Sequence, residues 1–254
     1  MPRVEQLLRA TARAEARHFW FRGFRAFVTP LLHRALDGRL DARLLDCGCG
    51  TGANVDLLSR FGRAYGFDLS AVGLRLGREA GRTRLARATV TAAPFPSGQF
   101  DLVSSFDVLY SLAERDERAA ITEMYRLLKP GGYILVNVAA MDILRGDHSM
   151  LSRELRRYSR ADLRRRLTAA GFLVERITYT HATLFLPLLI VRALQRRRGL
   201  KPEGASEREI SVPPGPVNAV LTALVAAESM WLRWFDLPFG SSLLCLARKP
   251  MAHA

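Results

Sequence analysis

Cysteine is scarce in this sequence, and its scarcity excludes two classes of protein. The chain has three cysteines among 254 residues, and Cys47 and Cys49 flank a glycine in one turn. An odd, small number at this spacing is not the framework of a disulfide-rich secreted domain. No second Cys or His pair at metal-ligand spacing accompanies them, so we expect no metal site. The pattern indicates small thiol side chains in a reducing cytoplasm.

Long apolar runs are also lacking. No stretch reaches the roughly 18 uninterrupted apolar residues of a transmembrane helix. The N-terminal segment is polar with a helical pattern, so we expect no signal peptide and no export. The hydrophobic share of 49% and the charged share of 24% are those of a globular protein, and 254 residues suffice for one large α/β domain.

Acidic residues are too few to balance the basic ones. There are 24 Asp and Glu against 38 Lys and Arg, which gives a net charge of +14. Thirteen basic residues and only three acidic ones lie between Arg153 and Lys201. Such an excess favours an anionic partner: nucleic acid, an anionic membrane surface or an acidic substrate. A genome that favours Arg and Ala codons is the alternative explanation.

The most informative stretch is a glycine-rich turn. A short apolar strand ending near Asp46 runs into Gly48, Gly50 and Gly52 and then into a helical pattern. Because these glycines lack Cβ atoms, they can take positive φ and let backbone N–H groups approach a ligand closely. The turn also fits the relaxed dinucleotide-binding pattern, which is a weak signal on its own. We predict a nucleotide-like cofactor here.

Two acids beside this turn narrow the choice of cofactor. Asp46 would repel a pyrophosphate but could pair with a cationic amino acid group. Asp68 ends the next apolar strand, at the spacing of about 20 residues expected of a ribose-binding carboxylate. A ligand with a ribose, a positive amino acid tail and no phosphates satisfies both acids. S-adenosylmethionine is that ligand.

Four segments, in this order, resemble the class I S-adenosylmethionine-dependent methyltransferases. They are Leu45-Asp46-Cys47-Gly48-Cys49-Gly50-Thr51-Gly52, Gly66-Phe67-Asp68-Leu69-Ser70, Pro94-Phe95-Pro96 followed by Phe100-Asp101-Leu102-Val103, and Leu127-Leu128-Lys129-Pro130-Gly131-Gly132. The resemblance covers roughly residues 40 to 180. It implies an α/β fold with a doubly wound, seven-stranded, Rossmann-like sheet. The cofactor-binding residues expected on this basis are Asp46, Gly48, Gly50, Gly52, Asp68, Leu69, Val90 and Phe106.

The sequence departs from the family pattern at the position expected to contact the adenine and at the position where a catalytic His is frequent. Thr89 stands on the predicted third strand, Ala88 to Thr91, where the family frequently has Asp. Tyr110 and Ser111 replace a frequent Glu-His pair after strand four, so a catalytic His is absent there. Methyl transfer to an O–H group requires a base, whereas an amine can react without one. The candidates for this base are His148 and Asp147 after strand five, Tyr110 after strand four and His181 after strand six. His148 is preferred, because an imidazole ordinarily titrates near working pH.

The N-terminal residues and a basic segment supply candidates for substrate contact. Residues 3 to 36 have a helical pattern with an expected break at Pro30, and His18-Phe19-Trp20-Phe21-Arg22 is either core or part of a lid over the site. Arg153, Arg156, Arg157 and Tyr158 could hold a phosphate or carboxylate of the substrate, although a helix start at Ser159 explains part of this pattern. The substrate-binding residues that we expect are Trp20, Arg22, Arg157, Tyr158 and His181.

A long insertion is the largest departure from the resembled fold. About 60 residues separate strands six and seven, where a short hairpin turn is usual. They carry two apolar segments with a basic cluster and tryptophans, which suits helices in a membrane interface, a dimer contact, or mutual burial as a substrate cap. The expected organisation is a helical lid at 1–36, a core at 37–180 and 241–250, and the helical insertion at 181–240.

These observations predict methyl transfer to a small, lipophilic or amphipathic acceptor. We expect a cytoplasmic enzyme at the inner face of the membrane, with a small-molecule substrate and an anionic membrane surface or a second copy of the chain as partners. An RNA methyltransferase is an alternative favoured by the net charge. Against it, the basic residues lie beside apolar helices and no RNA-binding module is visible. A non-catalytic, cofactor-binding dimerisation protein is the other alternative.

Overall fold

Strands and short helices alternate along most of the chain. The structure is a computed structural model that describes residues 2–39, 41–200 and 210–251. The strands are β1 (Arg43–Cys47), β2 (Arg63–Asp68), β3 (Leu85–Arg87), β4 (Phe100–Phe106), β5 (Leu128–Ala139), β6 (Leu173–Thr180) and β7 (Ser242–Arg248). The α-helices are α1 (Pro2–Ala14), α2 (Phe19–Leu36), α3 (Ala53–Leu58), α4 (Ala71–Glu79), α5 (Glu114–Leu127), α6 (Asp147–Leu151), α7 (Arg160–Ala169), α8 (Phe185–Arg197) and α9 (Gly215–Trp231).

The strands form one seven-stranded sheet in the order β3-β2-β1-β4-β5-β7-β6. β1 to β5 pair in parallel, whereas β7 runs antiparallel to both β5 and β6. Helices cover both faces, so the central strand β4 is buried along its whole length. The predicted doubly wound fold is therefore confirmed. The carboxyl ends of β1, β2, β4, β5 and β6 all lie at one edge of this sheet.

The insertion packs on the N-terminal helices. α9 lies against α2 so closely that a Cβ on Gly23 would be 2.2 Å from Cγ1 of Val225. Asn218 of α9 joins the two layers further, because its Oδ1 accepts from the N–H of Phe19 at 2.9 Å and its Nδ2 donates to the carbonyl of Arg17 at 3.0 Å. α2 and α9 thus form one layer on the sheet.

A buried carboxylate holds the beginning of the insertion. Glu228 of α9 accepts the N–H groups of Ala182 and Thr183 at 3.0 and 2.9 Å, and the hydroxyl of Thr183 at 2.7 Å. These bonds fix the chain just after β6, where His181 adopts a positive φ of 60°. The sequence also predicts a polar, proline-rich linker from Lys201 to Pro216, of which residues 201–209 lie outside the described residues. Among the described helices, none has the length and apolar character needed to cross a bilayer.

Two local predictions are wrong. α2 continues through Pro30, and the break occurs instead before His18, whose Nδ1 accepts from the N–H of Trp20 and begins the new helix. One missing hydrogen bond at Pro30 is tolerated because the apolar face of α2 is buried against the sheet. β3 is Leu85–Arg87 and not residues 88–91, because a Thr89–Ala92 bridge closes those residues into a turn.

A fully buried glutamate joins α5, α7 and the segment before α7. Glu117 accepts a hydrogen bond from the hydroxyl of Tyr158 at 2.7 Å and pairs with Nη1 of Arg166 at 2.9 Å and with Arg156. A carboxylate in such a position is costly unless every oxygen has a donor. Its partners therefore hold residues 156–166 against the core.

We expect Glu117→Gln to lower the free energy of unfolding by about 3 kcal/mol, because a neutral amide would leave the partly buried guanidinium of Arg156 without its charge partner. Arg166 would lose one charge partner and keep its pair with Asp162. Glu114→Gln is the matched control: its side chain is 66% exposed and lies 3.8 Å from Arg166. Denaturant unfolding should show a change of less than about 0.5 kcal/mol for the control. Equal effects of the two substitutions would contradict the assigned role of Glu117.

Candidate functional site

The glycine-rich turn lies at the carboxyl end of β1. Gly48, Gly50 and Gly52 have φ values of 83°, 55° and 83°. The N–H groups of Gly48 and Cys49 both donate to the carbonyl of Phe67, at 2.9 and 3.0 Å. The turn is therefore fastened to the end of the neighbouring strand β2.

Gly48 is packed against the segment that follows β4. A Cβ at this position would lie 2.4 Å from Cγ2 of Val108. Real Cβ atoms do not approach a neighbour so closely, and a φ of 83° also disfavours any side chain. The turn after β1 and the segment after β4 consequently meet at the same point of the edge.

Asp68 reaches across the turn from the end of β2. Its Oδ2 accepts from the N–H of Gly50 at 2.8 Å and its Oδ1 from the N–H of Ser70 at 2.7 Å. Burial raises the pKa of this carboxyl, and the N–H donors of Ser70 and Gly50 oppose the rise. Each carboxylate oxygen retains capacity for a further donor. Leu69 beside it is exposed, so a ligand at Asp68 would meet an apolar side chain.

Asp46 is buried at the end of β1 and is only half satisfied. Its Oδ1 accepts from the hydroxyl of Ser104 at 2.7 Å. Its Oδ2 has no hydrogen-bond partner among the described residues. Burial raises the pKa of the Asp46 carboxyl to about 7, with a smaller contribution from Asp68, while the Ser104 bond opposes it. A buried acceptor without a donor suits a cationic or donor group of a ligand.

The first helix lies over the glycine turn. A methyl carbon of Leu8 would be 3.3 Å from a Cβ on Gly50. Glu15, just after α1, is buried, accepts from the hydroxyl of Thr51 at 2.6 Å and pairs with Nη1 of Arg82 at 3.0 Å. Arg82 also donates to the carbonyl of Thr51 at 2.9 Å. These bonds tie the N-terminal segment to the turn, as a lid requires.

Glu15 was missed in the sequence. The sequence offered one indication of its role, an acidic residue that follows two alanines, Ala10 and Ala14, at helical spacing. The structure shows that both alanines are buried.

Aromatic side chains of α2 pack with Phe106 at the end of β4 and with His181 after β6, and together they form an aromatic wall at the same edge. Trp20 stacks on His181 with ring centres 3.8 Å apart, and Phe27 meets the same imidazole edge-on at 5.0 Å. Phe24 packs on Phe106, at the end of β4, at 4.9 Å. The structure thus brings Trp20 and His181 into contact and places Phe106 against the same helix.

His181 is buried, and neither ring nitrogen has a hydrogen-bond partner among the described residues. Burial lowers the pKa of this imidazole to about 3, so the ring is neutral. A neutral imidazole offers one donor and one acceptor. Both nitrogens are buried beside Trp20.

The side chains that were predicted to hold a phosphate or carboxylate of the substrate bond to other protein groups. Arg157 pairs with Glu154 at 2.9 Å and donates to the carbonyl of Ala140 at 2.9 Å. Tyr158 is fully buried and donates to Glu117. These contacts occupy the groups that the sequence assigned to the substrate. Arg22 is exposed on α2, where its N–H bonds to the carbonyl of His18.

Two of the candidate bases lie in different surroundings. Tyr110 is buried in the apolar layer under α5, and burial raises the pKa of its phenol well above the ordinary range, so it stays protonated. His148 lies half-buried on the short helix α6, which contacts α1. Val90 lies in the turn after β3, half-buried against the same apolar layer as Tyr110.

Part of the chain matches a known protein family. Residues 45–136 match a family described as "Methyltransferase domain". Malonyl-[acyl-carrier protein] O-methyltransferase of Enterobacter lignolyticus is 37% identical over 116 residues, which are 43% of this chain and 43% of that protein. A ubiquinone/menaquinone biosynthesis C-methyltransferase of Yersinia enterocolitica is 34% identical over 112 residues, 39% of this chain and 43% of that protein. The matches span less than half the length of these curated relatives.

Solved structures share the fold. The [4+2]-cyclase SpnF has a TM-score of 0.57 and 24% identity over 89% of this chain and 81% of its own. Phosphoethanolamine N-methyltransferase 2 of Haemonchus contortus, in complex with S-adenosyl-L-methionine, has a TM-score of 0.56 and 18% identity over 89% of this chain and 53% of its own. At these identities the likeness concerns the fold.

We expect Gly48→Ala to lower the free energy of unfolding by about 2 kcal/mol or more, because the new Cβ would overlap Val108 and the backbone has a positive φ. Gly98→Ala is the control, since its φ is 65° and a Cβ there meets nothing within 4 Å. Denaturant unfolding of both variants isolates the overlap. Val108→Ala in the Gly48→Ala background should recover part of the loss, and no recovery would contradict the close contact.

Proposed function

We propose that the chain acts as a class I S-adenosylmethionine-dependent methyltransferase and transfers the methyl group to a small, lipophilic or amphipathic acceptor. The observation that carries this proposal is the pair of carboxylates beside the glycine turn. Asp68 would accept hydrogen bonds from the ribose hydroxyls, and the unpartnered oxygen of Asp46 would face the cationic amino acid part. The bound cofactor supplies an electrophilic methyl group.

The remaining predicted cofactor residues suit this arrangement. Gly48, Gly50 and Gly52 let the backbone of the turn approach the ligand, and Leu69 offers an apolar side chain next to the ribose. Val90 would contact the adenine from the turn after β3, and Phe106 would close the site on the side of β4. Leu8 of α1 packs on the turn, so the N-terminal segment would cover the bound cofactor.

The aromatic wall supports an acceptor with a large apolar part. Trp20, Phe106 and His181 would contact it, with the neutral imidazole of His181 bonding to a polar group on an otherwise apolar molecule. Positioning of the acceptor in line with the methyl group supplies much of the rate in such a displacement. The names of the two curated relatives specify O and C acceptors, so they leave the acceptor atom open.

The outward face of the insertion supports delivery of such an acceptor from a membrane surface. Its exposed apolar side chains include Leu186, Ile190 and Leu194 on α8, Val220 and Trp231 on α9, and Trp234 and Phe235 after α9. A basic cluster, Arg196 to Arg198, lies at the end of α8. Within it Arg198 pairs with Asp147 at 2.6 Å and Arg196 donates to the carbonyls of Ile143 and Arg145, so Arg197 contributes most to the charge of this face. Apolar faces with tryptophan and flanking basic residues are typical of helices that lie in an anionic membrane interface. We infer that the protein binds the inner leaflet peripherally through this face.

Cofactor binding gives the direct test. We expect Asp68→Asn to raise the Kd for S-adenosylmethionine about 10- to 100-fold, because an amide cannot accept from the two backbone N–H groups and the ribose together. Asp37→Asn is the control, since Asp37 is exposed at the end of α2 with a φ of 44° that Asn also adopts. Calorimetry gives the affinities and thermal unfolding verifies that both variants are folded. Unchanged affinity of folded Asp68→Asn would refute the ribose role.

The acceptor class is tested with methyl-labelled S-adenosylmethionine and a cell extract. Label in the organic phase with the wild-type chain, but not with Asp68→Asn, supports a lipophilic acceptor. Label in RNA would favour the RNA methyltransferase alternative, and label in no fraction would overturn the proposed activity.

Vesicle binding tests the membrane face. We expect Leu194→Asp to weaken binding to phosphatidylglycerol vesicles about tenfold or more, since one apolar contact is lost and a negative charge is added. Leu173→Asp is the control, because Leu173 on β6 is 59% exposed and Leu194 is 58% exposed. Flotation and light scattering provide the readouts. A wild-type chain that ignores anionic vesicles, or a dimer that Leu194→Asp dissociates, would contradict the membrane assignment.

A further inference from the structure

One carboxylate at the edge of the sheet is not explained by cofactor binding. Asp107 is the first residue after β4 and adopts a positive φ of 61°. A non-glycine residue in this conformation stores strain of about 1–3 kcal/mol, which persists only where neighbours hold it. The next residue, Val108, touches the glycine turn through Gly48. Asp107 therefore lies beside the site proposed for the cofactor.

Two hydrogen bonds to the next strand hold Asp107 in place. Its N–H donates to the carbonyl of Asn137 on β5 at 3.0 Å, and Nδ2 of Asn137 donates to its Oδ1 at 2.9 Å. The second carboxylate oxygen, Oδ2, has no hydrogen-bond partner among the described residues. The side chain is thus fixed by one oxygen and presents the other.

Asp107 is exposed, although neighbouring protein atoms desolvate its carboxyl group. The residue keeps more than a third of its surface accessible. Protein atoms nevertheless surround it so closely that burial raises the pKa of its carboxyl to about 7. The amide of Asn137 and the charge of Arg157 oppose this rise in pKa, Glu154 adds to it, and the phenol of Tyr110 lies close enough to be affected by Asp107 in turn.

Similar backbone strain occurs at the ends of the neighbouring strands. Met141 follows β5 with a φ of 59°, and His181 follows β6 with a φ of 60°. Three strands that end at this edge are therefore each followed, within two residues, by a non-glycine residue with positive φ. Such clusters are found at binding and catalytic sites, where the chain turns side chains toward a ligand. Of these three residues, Asp107 is the one that carries an ionisable oxygen without a hydrogen-bond partner among the described residues.

We propose that Asp107 is the proton acceptor of the methyl transfer and that its acceptor molecule carries a phenolic or enolic hydroxyl. This inference rests on the proposed function. The O–H bond of the acceptor breaks and its proton bonds to Oδ2 of Asp107. The acceptor oxygen forms the new bond to the methyl carbon, and the electron pair of the old carbon–sulfur bond remains on sulfur. Asn137 is a positioning residue that holds Oδ1 and thereby fixes the direction of Oδ2.

The chemistry of the hydroxyl follows from the match between base and acid. A carboxylate that titrates near neutral pH transfers protons efficiently to and from groups of similar acidity. Hydroxyls conjugated to an aromatic ring or a double bond come much closer to this range than those of an aliphatic alcohol. The aromatic wall of Trp20 and Phe106 suits a flat, conjugated acceptor.

Asp107→Asn is the deciding variant, because Asn adopts the same backbone conformation and can still accept from Asn137. In the labelled-extract assay we expect product formation to fall about 100-fold or more. The Kd for S-adenosylmethionine should stay within about twofold of the wild-type value. In the wild type, product formation should rise with pH to a plateau above about pH 7. Asp142→Asn, an exposed acid after β5, should change neither quantity.

Two further measurements do not depend on turnover. In carbon NMR of Asp-labelled protein, one carboxyl titrating near pH 7 should disappear in Asp107→Asn, and another in Asp46→Asn. The folded state binds a proton at Asp107 more tightly than the unfolded chain, so this residue makes stability fall as pH rises from about 4 to about 7. The thermal unfolding temperature of Asp107→Asn should therefore decline less between about pH 5 and about pH 8 than that of the wild type.

The outcomes separate this assignment from the proposed function. Equal product formation with the same pH profile in wild type and Asp107→Asn would overturn the role of Asp107 and leave the methyltransferase intact. Loss of cofactor affinity in Asp107→Asn would assign the residue to cofactor binding and refute proton acceptance. No labelled product from the wild type would overturn the proposed function, and this assignment with it.

Discussion

The site depends on carboxylates held inside the end of a parallel sheet. Asp46 and Asp68 are removed from water at the ends of β1 and β2, which is unfavourable for charged groups. Hydrogen bonds from Ser104, Gly50 and Ser70 offset only part of this cost. A ligand that brings a positive charge and hydroxyl donors offsets the rest. The buried carboxylates therefore favour a ligand that has the chemical features of S-adenosylmethionine.

The fold could be predicted from the sequence because it rests on local patterns, and the same patterns supplied the residues that are proposed to bind the cofactor. Apolar strands, a glycine turn and an acid about 20 residues after it can each be recognised from a short segment of sequence. The observed sheet confirmed the order of the strands. The insertion between β6 and β7 was legible for the same reason, as an excess of length. The predictions that failed, a break at Pro30 and a strand at Ala88, concerned elements whose bounds tertiary packing decides.

Contacts between distant parts of the chain were not predictable. Glu15 reaches Thr51 and Arg82, and Arg157 is neutralised by Glu154, so a basic residue that suggested substrate binding stabilises the fold instead. Asp107 is one ordinary acid among 24 acidic residues in the sequence. Its proposed role is inferred from its positive φ and from its hydrogen bond to Asn137, which lies thirty positions further along the chain. A single sequence carries no signal for either.

The layer that α2 and α9 form has an energetic consequence. The same helix α2 supplies Trp20 to the site and receives Val225 and Asn218 from the insertion. Any movement of α2 that admits a ligand must therefore displace α9, and anything that immobilises α9 from outside restrains α2. If the outer face of the insertion binds a partner as proposed, binding there and binding at the site would be thermodynamically linked through α2 and α9. Such linkage is reciprocal, because each ligand changes the affinity for the other by the same factor.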